Sequence, residues 1–570
     1  MPNKLSRFWQ ELKRRKVITT LFWYAGIAMV LIGLASDMAG PFNLPNGTLR
    51  LVIILIIIGF PLTMIFSWIF DVSPEGIHRT RSLKNEQSVR KEPGSLVHNP
   101  SIDRSIAVLP FQDMSREKDQ EYFCDGIAEE IINALVQVSS LKVIARTSAF
   151  AFKNQNVDMR EIGQKLNVET LLEGSVRKDS NRIRITAQLV KTDDGTHLWS
   201  ERFDRNLDDI FAIQDEISMA IVDHLKVKLL SQEKSALLKR YTDNFELYDL
   251  YLKASHYIKR ATPSEFEKAV DYLGQALQKD PGFVPAYAAL GISNMLSSFF
   301  GNLPPNIGYP KAKEYAEKIL EIDDKAVYYP GMMAAYCLYY DWDWDTSEQH
   351  FKPAFQLNPN SEWNHHNYSW NLIYKGRYPE GISEAIRALE LDPLSGFFHA
   401  MLGYKYTYTG QFELAIDHLR QSIEKFADFY IGRWILGIAY TCMSKMEEAI
   451  EEYRKALELS GGVPIVVSYL AEALYMTGRS EEADRLIREL EQRSEREYIP
   501  ASCFIAFYRH KGDHEKVNTL VDRAIREHDV NLPYLIFHPI KKYRLQLNEQ
   551  KYPDQIKKMR LNEHFKDDYI

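Results

Sequence analysis

Three groups of polar residues have the types that chemistry needs. Asp125, Glu129 and Glu130 stand about a helical turn apart in CDGIAEEI, and Arg146 follows the next apolar run, so the four form a candidate ligand site. Charges that cap and flank a helix are the blander account of them and the favoured one. Thr147 and Ser148 come directly after that run and suit either an anion or the N-terminus of a following helix. His365 and His366 are adjacent, so on a helix they point about 100° apart and cannot chelate one metal as an i, i+4 pair does. The chain has no GxxxxGK[ST] phosphate loop, no HExxH and no GxSxG elbow. An enzyme is not expected, and no catalytic, cofactor-binding or metal-binding residue is assigned.

The elements that position side chains are set by a repeat. Between about Tyr328 and Leu490 one pattern returns every 34 residues: Pro359 recurs as Pro393, Gly403 as Gly437, Tyr406 as Tyr440, and Ala415 as Ala449 and Ala483. Small residues within two helical segments, an aromatic between them and a closing proline at this period resemble the tetratricopeptide (TPR) family. Weaker copies extend the array to about 241–530, seven or eight helix pairs, with 531–570 as a carboxy-terminal capping segment. The resemblance implies an all-α superhelical solenoid whose first helices line a concave groove. In that frame Tyr336, Tyr340, Trp363, Trp370, Tyr374, Phe397, Tyr404, Tyr408 and Trp434 face the groove, with Tyr339 and His366 beside them. Aromatics give large contact area at small rotamer cost. The groove is therefore expected to bind a protein or peptide. Two other readings stay open: the rings pack on one another, or Leu532 to Ile570 fold back over them.

The chain has 570 residues and a formal net charge of −7, so it has no global basic excess and no nucleic-acid partner is expected. Cys124, Cys337, Cys442 and Cys503 are scattered without metal-ligand spacing and read as buried, reduced thiols. Residues 1–77 hold a basic start, MPNKLSRFWQELKRRK, and two apolar runs at about 17–39 and 49–70. Each is long enough for a bilayer core of roughly 30 Å. Lys and Arg cluster before the first run and after the second, which predicts a two-helix transmembrane hairpin in the lipid bilayer of a bacterial inner membrane with cytoplasmic soluble domains. Residues 78–104 read as a polar linker.

From Ser105 to about Leu230 strand and helix signals alternate: SIAVLPF, a helix over Gln120 to Val138, LKVIA, a short helix over Met159 to Leu166, a hairpin through Asp179 to Asn181, and a helix carrying Ile210, Ile213, Ile217 and Ile221 on one face. This predicts a mixed α/β domain. IAVLPFQDMS, YFCDGIAEEIINALVQVSSLKVIARTSAFAFK and LLEGSVRKDSNRIRITAQLVKTDDGTHLWSERFDR resemble the TolB amino-terminal-like domain, which precedes TPR repeats in bacterial cyclase-associated and acid-response regulators. The resemblance implies architecture without a reaction. The fold class expected is thus multidomain: transmembrane hairpin, mixed α/β domain, TPR solenoid. The function expected is a membrane-anchored scaffold that recruits a protein partner through the groove, its α/β domain sensing a ligand or self-associating. The alternative is a signalling receptor whose α/β domain senses a small ligand and regulates a separate cyclase or transcription factor.

Overall fold

The run expected to finish a second apolar helix opens a strand instead. In the computed structural model, Phe70–Ser73 (β1) pairs antiparallel with Gly76–Arg79 (β2), Phe70 opposite Arg79. The structure describes residues 70–73, 76–79, 104–179, 181–258, 263–548 and 550–559. The rest of the spans expected at 17–39 and 49–70 lies outside them. Among the described residues no helix is long and apolar enough to cross a membrane. The transmembrane hairpin, and the two-span inner-membrane placement built on it, are therefore corrected. Hydropathy measures how a run would partition as a helix, and it does not fix the conformation the backbone takes. The linker expected from residue 78 likewise starts inside β2. Met1–Ser95 and Leu96–Ile570 are separate packing units, and the second holds all that follows.

Alternation builds the α/β domain. Along Ser105–Val108 (β3), Ile106 and Val108 enter one core while Ala107 and the following Leu109 enter another on the opposite face. Gln112–Asp113 (β4) pairs with the central strand, and Glu121–Leu135 (α1) crosses over to Lys142–Val143 (β5), as a parallel pair requires. Arg146–Phe150 (α2) and Met159–Leu166 (α3) lead into the long antiparallel run Thr170–Asp179 (β6), Arg182–Lys191 (β7) and His197–Asn206 (β8). The sheet order is β5-β3-β6-β7-β8 with β4 beside β6. Charged side chains such as Glu201, Arg202 and Arg205 on β8 discourage edge pairing. Ile210–His224 (α4) buries Ile210, Ile213, Ile217 and Ile221 against the same core as α1, and Ser231–Leu237 (α5) follows.

Eight antiparallel helix pairs come next among the described residues. They are Phe245–Ile258 with Pro263–Lys279 (α6, α7), Val284–Phe299 with Pro305–Ile322 (α8, α9), Tyr328–Tyr339 with Trp344–Leu357 (α10, α11), and Glu362–Tyr374 with Tyr378–Leu391 (α12, α13). Gly396–Tyr408 with Phe412–Lys425 (α14, α15), Tyr430–Cys442 with Met446–Ser460 (α16, α17), Pro464–Met476 with Ser480–Arg493 (α18, α19) and Ser502–Lys511 with His514–Glu527 (α20, α21) complete the array. Close approach explains the repeating glycine. A Cβ on Gly403 would lie 2.5 Å from Leu419, and one on Gly437 would lie 2.4 Å from the Tyr453 ring. All four cysteines are buried and unpaired, and burial lifts their thiols well above the ordinary range.

The α/β domain is fastened to the array. Tyr248 and Leu252 of α6 belong to the same core as α1 and α4. Asn360 Nδ2 donates to the carbonyls of Val138 and Leu141 at 3.1 and 2.8 Å, and the Ala145 amide donates to the Leu391 carbonyl at 2.8 Å. Ser148 Oγ donates to Asp392 and accepts from the Leu394 amide at 2.7 Å. After α21 the chain turns back along the inner face through Leu532–Ile536 (α22) and Pro553–Lys558 (α23).

Candidate functional site

The first helices of successive pairs carry the aromatics that face inward, and the structure sorts the expected groove residues into three sets. Trp370, Tyr374, Tyr404 and Tyr408 are buried and come together around Tyr534, their ring centroids 5.2, 6.2, 5.4 and 5.9 Å from it. The Tyr408 hydroxyl donates to the Tyr534 carbonyl at 2.6 Å, and Phe537 packs on Tyr374 and Trp344 at 5.7 and 5.3 Å. Tyr336 and Tyr340 form a second group with Tyr309, closed by His528, which stacks on Tyr340 at 3.9 Å and meets its carbonyl through Nδ1 at 2.7 Å. Trp434 lies 6.0 Å from Tyr404 and 5.7 Å from Tyr469. Trp363 and Phe397 are different. They pack on each other at 5.4 Å, and Trp363 is 38 % exposed; Phe300, 47 % exposed, touches Phe397 at 6.4 Å.

Sequence reasoning did not assign Tyr534, Phe537 or Lys405. Lys405 stands on α14 next to Tyr404 and is 0 % exposed. Its Nζ lies 4.7 Å over the Trp370 ring and 3.2 Å from His366 Nδ1, and no carboxylate pairs with it among the described residues. Burial pushes its amine well below the ordinary lysine range; burial, then the nearby Lys405, pushes His366 down as well. A lysine in the otherwise apolar stretch HAMLGYKYTY was the available signal.

The other polar candidates have structural partners. Arg146 reaches Glu129 at 3.3 Å and Asp125 at 3.8 Å, Lys153 meets Asp125 at 2.7 Å, and Asn133 donates to Glu130 at 3.1 Å. Ser148 binds Asp392 rather than an external anion, and burial raises that carboxyl to about 6. His365 meets Glu384 at 2.5 Å while His366 meets Lys405, so the two rings diverge.

Residues 433–462, over α16 and α17, match the tetratricopeptide-repeat family. The chain carries tetratricopeptide repeats. Residues 102–220, the α/β domain, match the family described as HilA/YgeH-like transcriptional regulator, second domain. The TolB likeness is not among what these matches support. Among curated proteins, "Putative adenylate cyclase 3" of Rhizobium meliloti (strain 1021) is 37 % identical over 268 residues, 44 % of this chain and 45 % of that one. The transcriptional regulator HilA of Salmonella typhimurium is 21 % identical over 292 residues, 49 % of each chain. The chain thus spans about half the length of the curated relatives it matches. Solved structures similar to it include the Cut9-Hcn1 hetero-tetramer of APC/C, with a TM-score of 0.36 and 15 % identity over 62 % of this chain and 63 % of that one. The type IV pilus biogenesis factor PilW has a TM-score of 0.30 and 17 % identity over 41 % of this chain and 98 % of its own. TPR arrays of this kind make a protein-interaction scaffold.

Proposed function

We propose that this protein is a non-enzymatic scaffold whose concave aromatic groove takes a short apolar segment of a protein partner, centred on one aromatic side chain. The observation that carries the reading is the seat of Tyr534. A segment reading LPYLIF lies in the groove, its tyrosine surrounded by four rings and its main chain held by the Tyr408 hydroxyl. A groove that accepts this segment from its own chain has the shape and polarity to accept a similar one from another protein. The exposed Trp363, packed on the half-buried Phe397, supplies the contact that a partner reaches before it competes for the Tyr534 seat. Both curated relatives bear names from signalling, a transcriptional regulator and a cyclase, which supports recruitment within a regulatory assembly.

A labelled peptide spanning residues 529–541 tests this by fluorescence anisotropy against the full chain. It should bind a Tyr534→Ala variant at least tenfold more tightly than the wild type, and a peptide with its own tyrosine replaced by alanine should not bind. A folded variant, checked by circular dichroism, that leaves the peptide free at every concentration refutes the reading.

A further inference from the structure

A cavity of about 430 Å³ lies where α1, α4 and α5 face α6, α8, α10 and α12. It opens to solvent on one side and is within the usual size of a small-molecule pocket. Its walls are aromatic: Phe211 on the α/β side, and Tyr248, Tyr251, Tyr328, Tyr339 and Trp363 from the array.

Tyr241, Asn358 and His366 border it, but their Oη, Oδ1 and Nε2 atoms are closed off from a water-sized molecule and offer no polar group to a guest. The bordering charges are already engaged. Arg240 meets Asp215 at 2.8 Å, Lys239 meets Asp323, and Glu130 holds Asn133; Lys325 is exposed at the rim. No buried charge is left to neutralise a charged guest.

We infer that this cavity is a binding site for an uncharged aromatic small molecule. Both lobes contribute walls, so occupancy fixes the α/β domain against the repeats. This site shares Trp363 with the proposed partner contact but not the Tyr534 seat, so peptide competition at Tyr534 and filling of the cavity test the two readings separately.

The probe is 6-propionyl-2-(dimethylamino)naphthalene, an uncharged aromatic ketone whose emission shifts to the blue in apolar surroundings. With the full chain it should give saturable, one-to-one binding and raise Tm. The anionic 8-anilinonaphthalene-1-sulfonate should bind at least tenfold more weakly. Two substitutions fill the cavity from opposite walls, Ala236→Trp on α5 and Ala335→Phe on α10. Each should cost the ketone at least tenfold in affinity while circular dichroism stays that of the wild type. If the Ala335 variant does not fold, the Ala236 variant decides. A ketone that never saturates, an anion that binds as well, or affinity unmoved by filling overturns the inference; the first outcome marks a water-filled gap.

Discussion

Replacing Lys405 with methionine should stabilise the protein near neutral pH and remove part of its alkaline pH dependence. The amine is fully buried, and the folded chain holds it below its ordinary range because burial disfavours the charged form. Across the window between the folded and unfolded values the unfolded chain binds a proton that the folded chain does not. Stability therefore rises with pH through that window, by about 1.4 kcal/mol per unit, and levels off near the ordinary lysine value of about 10.4. Methionine keeps the stem that lies over Trp370 and has no proton to gain. It also leaves His366 Nδ1 without its hydrogen-bond partner, at a cost of about 1–3 kcal/mol. The substitution should prevail at pH 7, and its lead should shrink and reverse toward pH ~10.4. Urea unfolding of both proteins at pH 7, 8, 9 and 10 gives the difference directly, because the titrating tyrosines and cysteines are common to both. A difference that is constant with pH, or a variant that loses at pH 7 and recovers at pH 10, refutes the argument that the buried amine is uncharged.

Two further substitutions probe the junction and the repeats. Burial raises the Asp392 carboxyl to about 6 from 3.8, so the folded chain binds the extra proton, and stability falls as pH rises through that window by on the order of 3 kcal/mol. Asp392→Asn keeps an acceptor for Ser148, so its stability advantage over the wild type should grow between pH 4.5 and 7 in thermal unfolding; a shrinking advantage contradicts this. Gly437→Ala places a methyl 2.4 Å from the Tyr453 ring and should cost about 1–3 kcal/mol in urea unfolding, where an unchanged midpoint would show that the helices part without strain.

The repeats were legible because their packing is local. A helix pair that must approach closely needs a small residue at the same place in each copy, and Gly403 and Gly437 keep that place visible at a fixed period. The strands of the α/β domain showed through their alternation, Ile106 and Val108 against Ala107 and Leu109. The occupancy of the groove was legible only as one open reading, the return of Leu532 to Ile570, and not as a pairing of residues. Tyr408 and Tyr534 are 126 residues apart, and no pattern near either records their contact. Ser148 read as a cap or an anion site for the same reason, since its acceptor Asp392 lies 244 residues downstream. The cavity belongs to neither domain's sequence, because each supplies only part of its wall.

The α/β domain grips Asn360 and, one repeat later, Leu394, the same corner of consecutive copies. Bare repeat arrays act as springs that lengthen and unwind copy by copy, since each touches only its neighbours. Here two consecutive coils are clamped to a stiff plate, and farther along His528 hooks the chain back to Tyr340. The middle of the spring is thereby locked at one pitch. Elastic give is left to the coils beyond the clamp, because α6 at the start of the array is itself packed into the core of the plate.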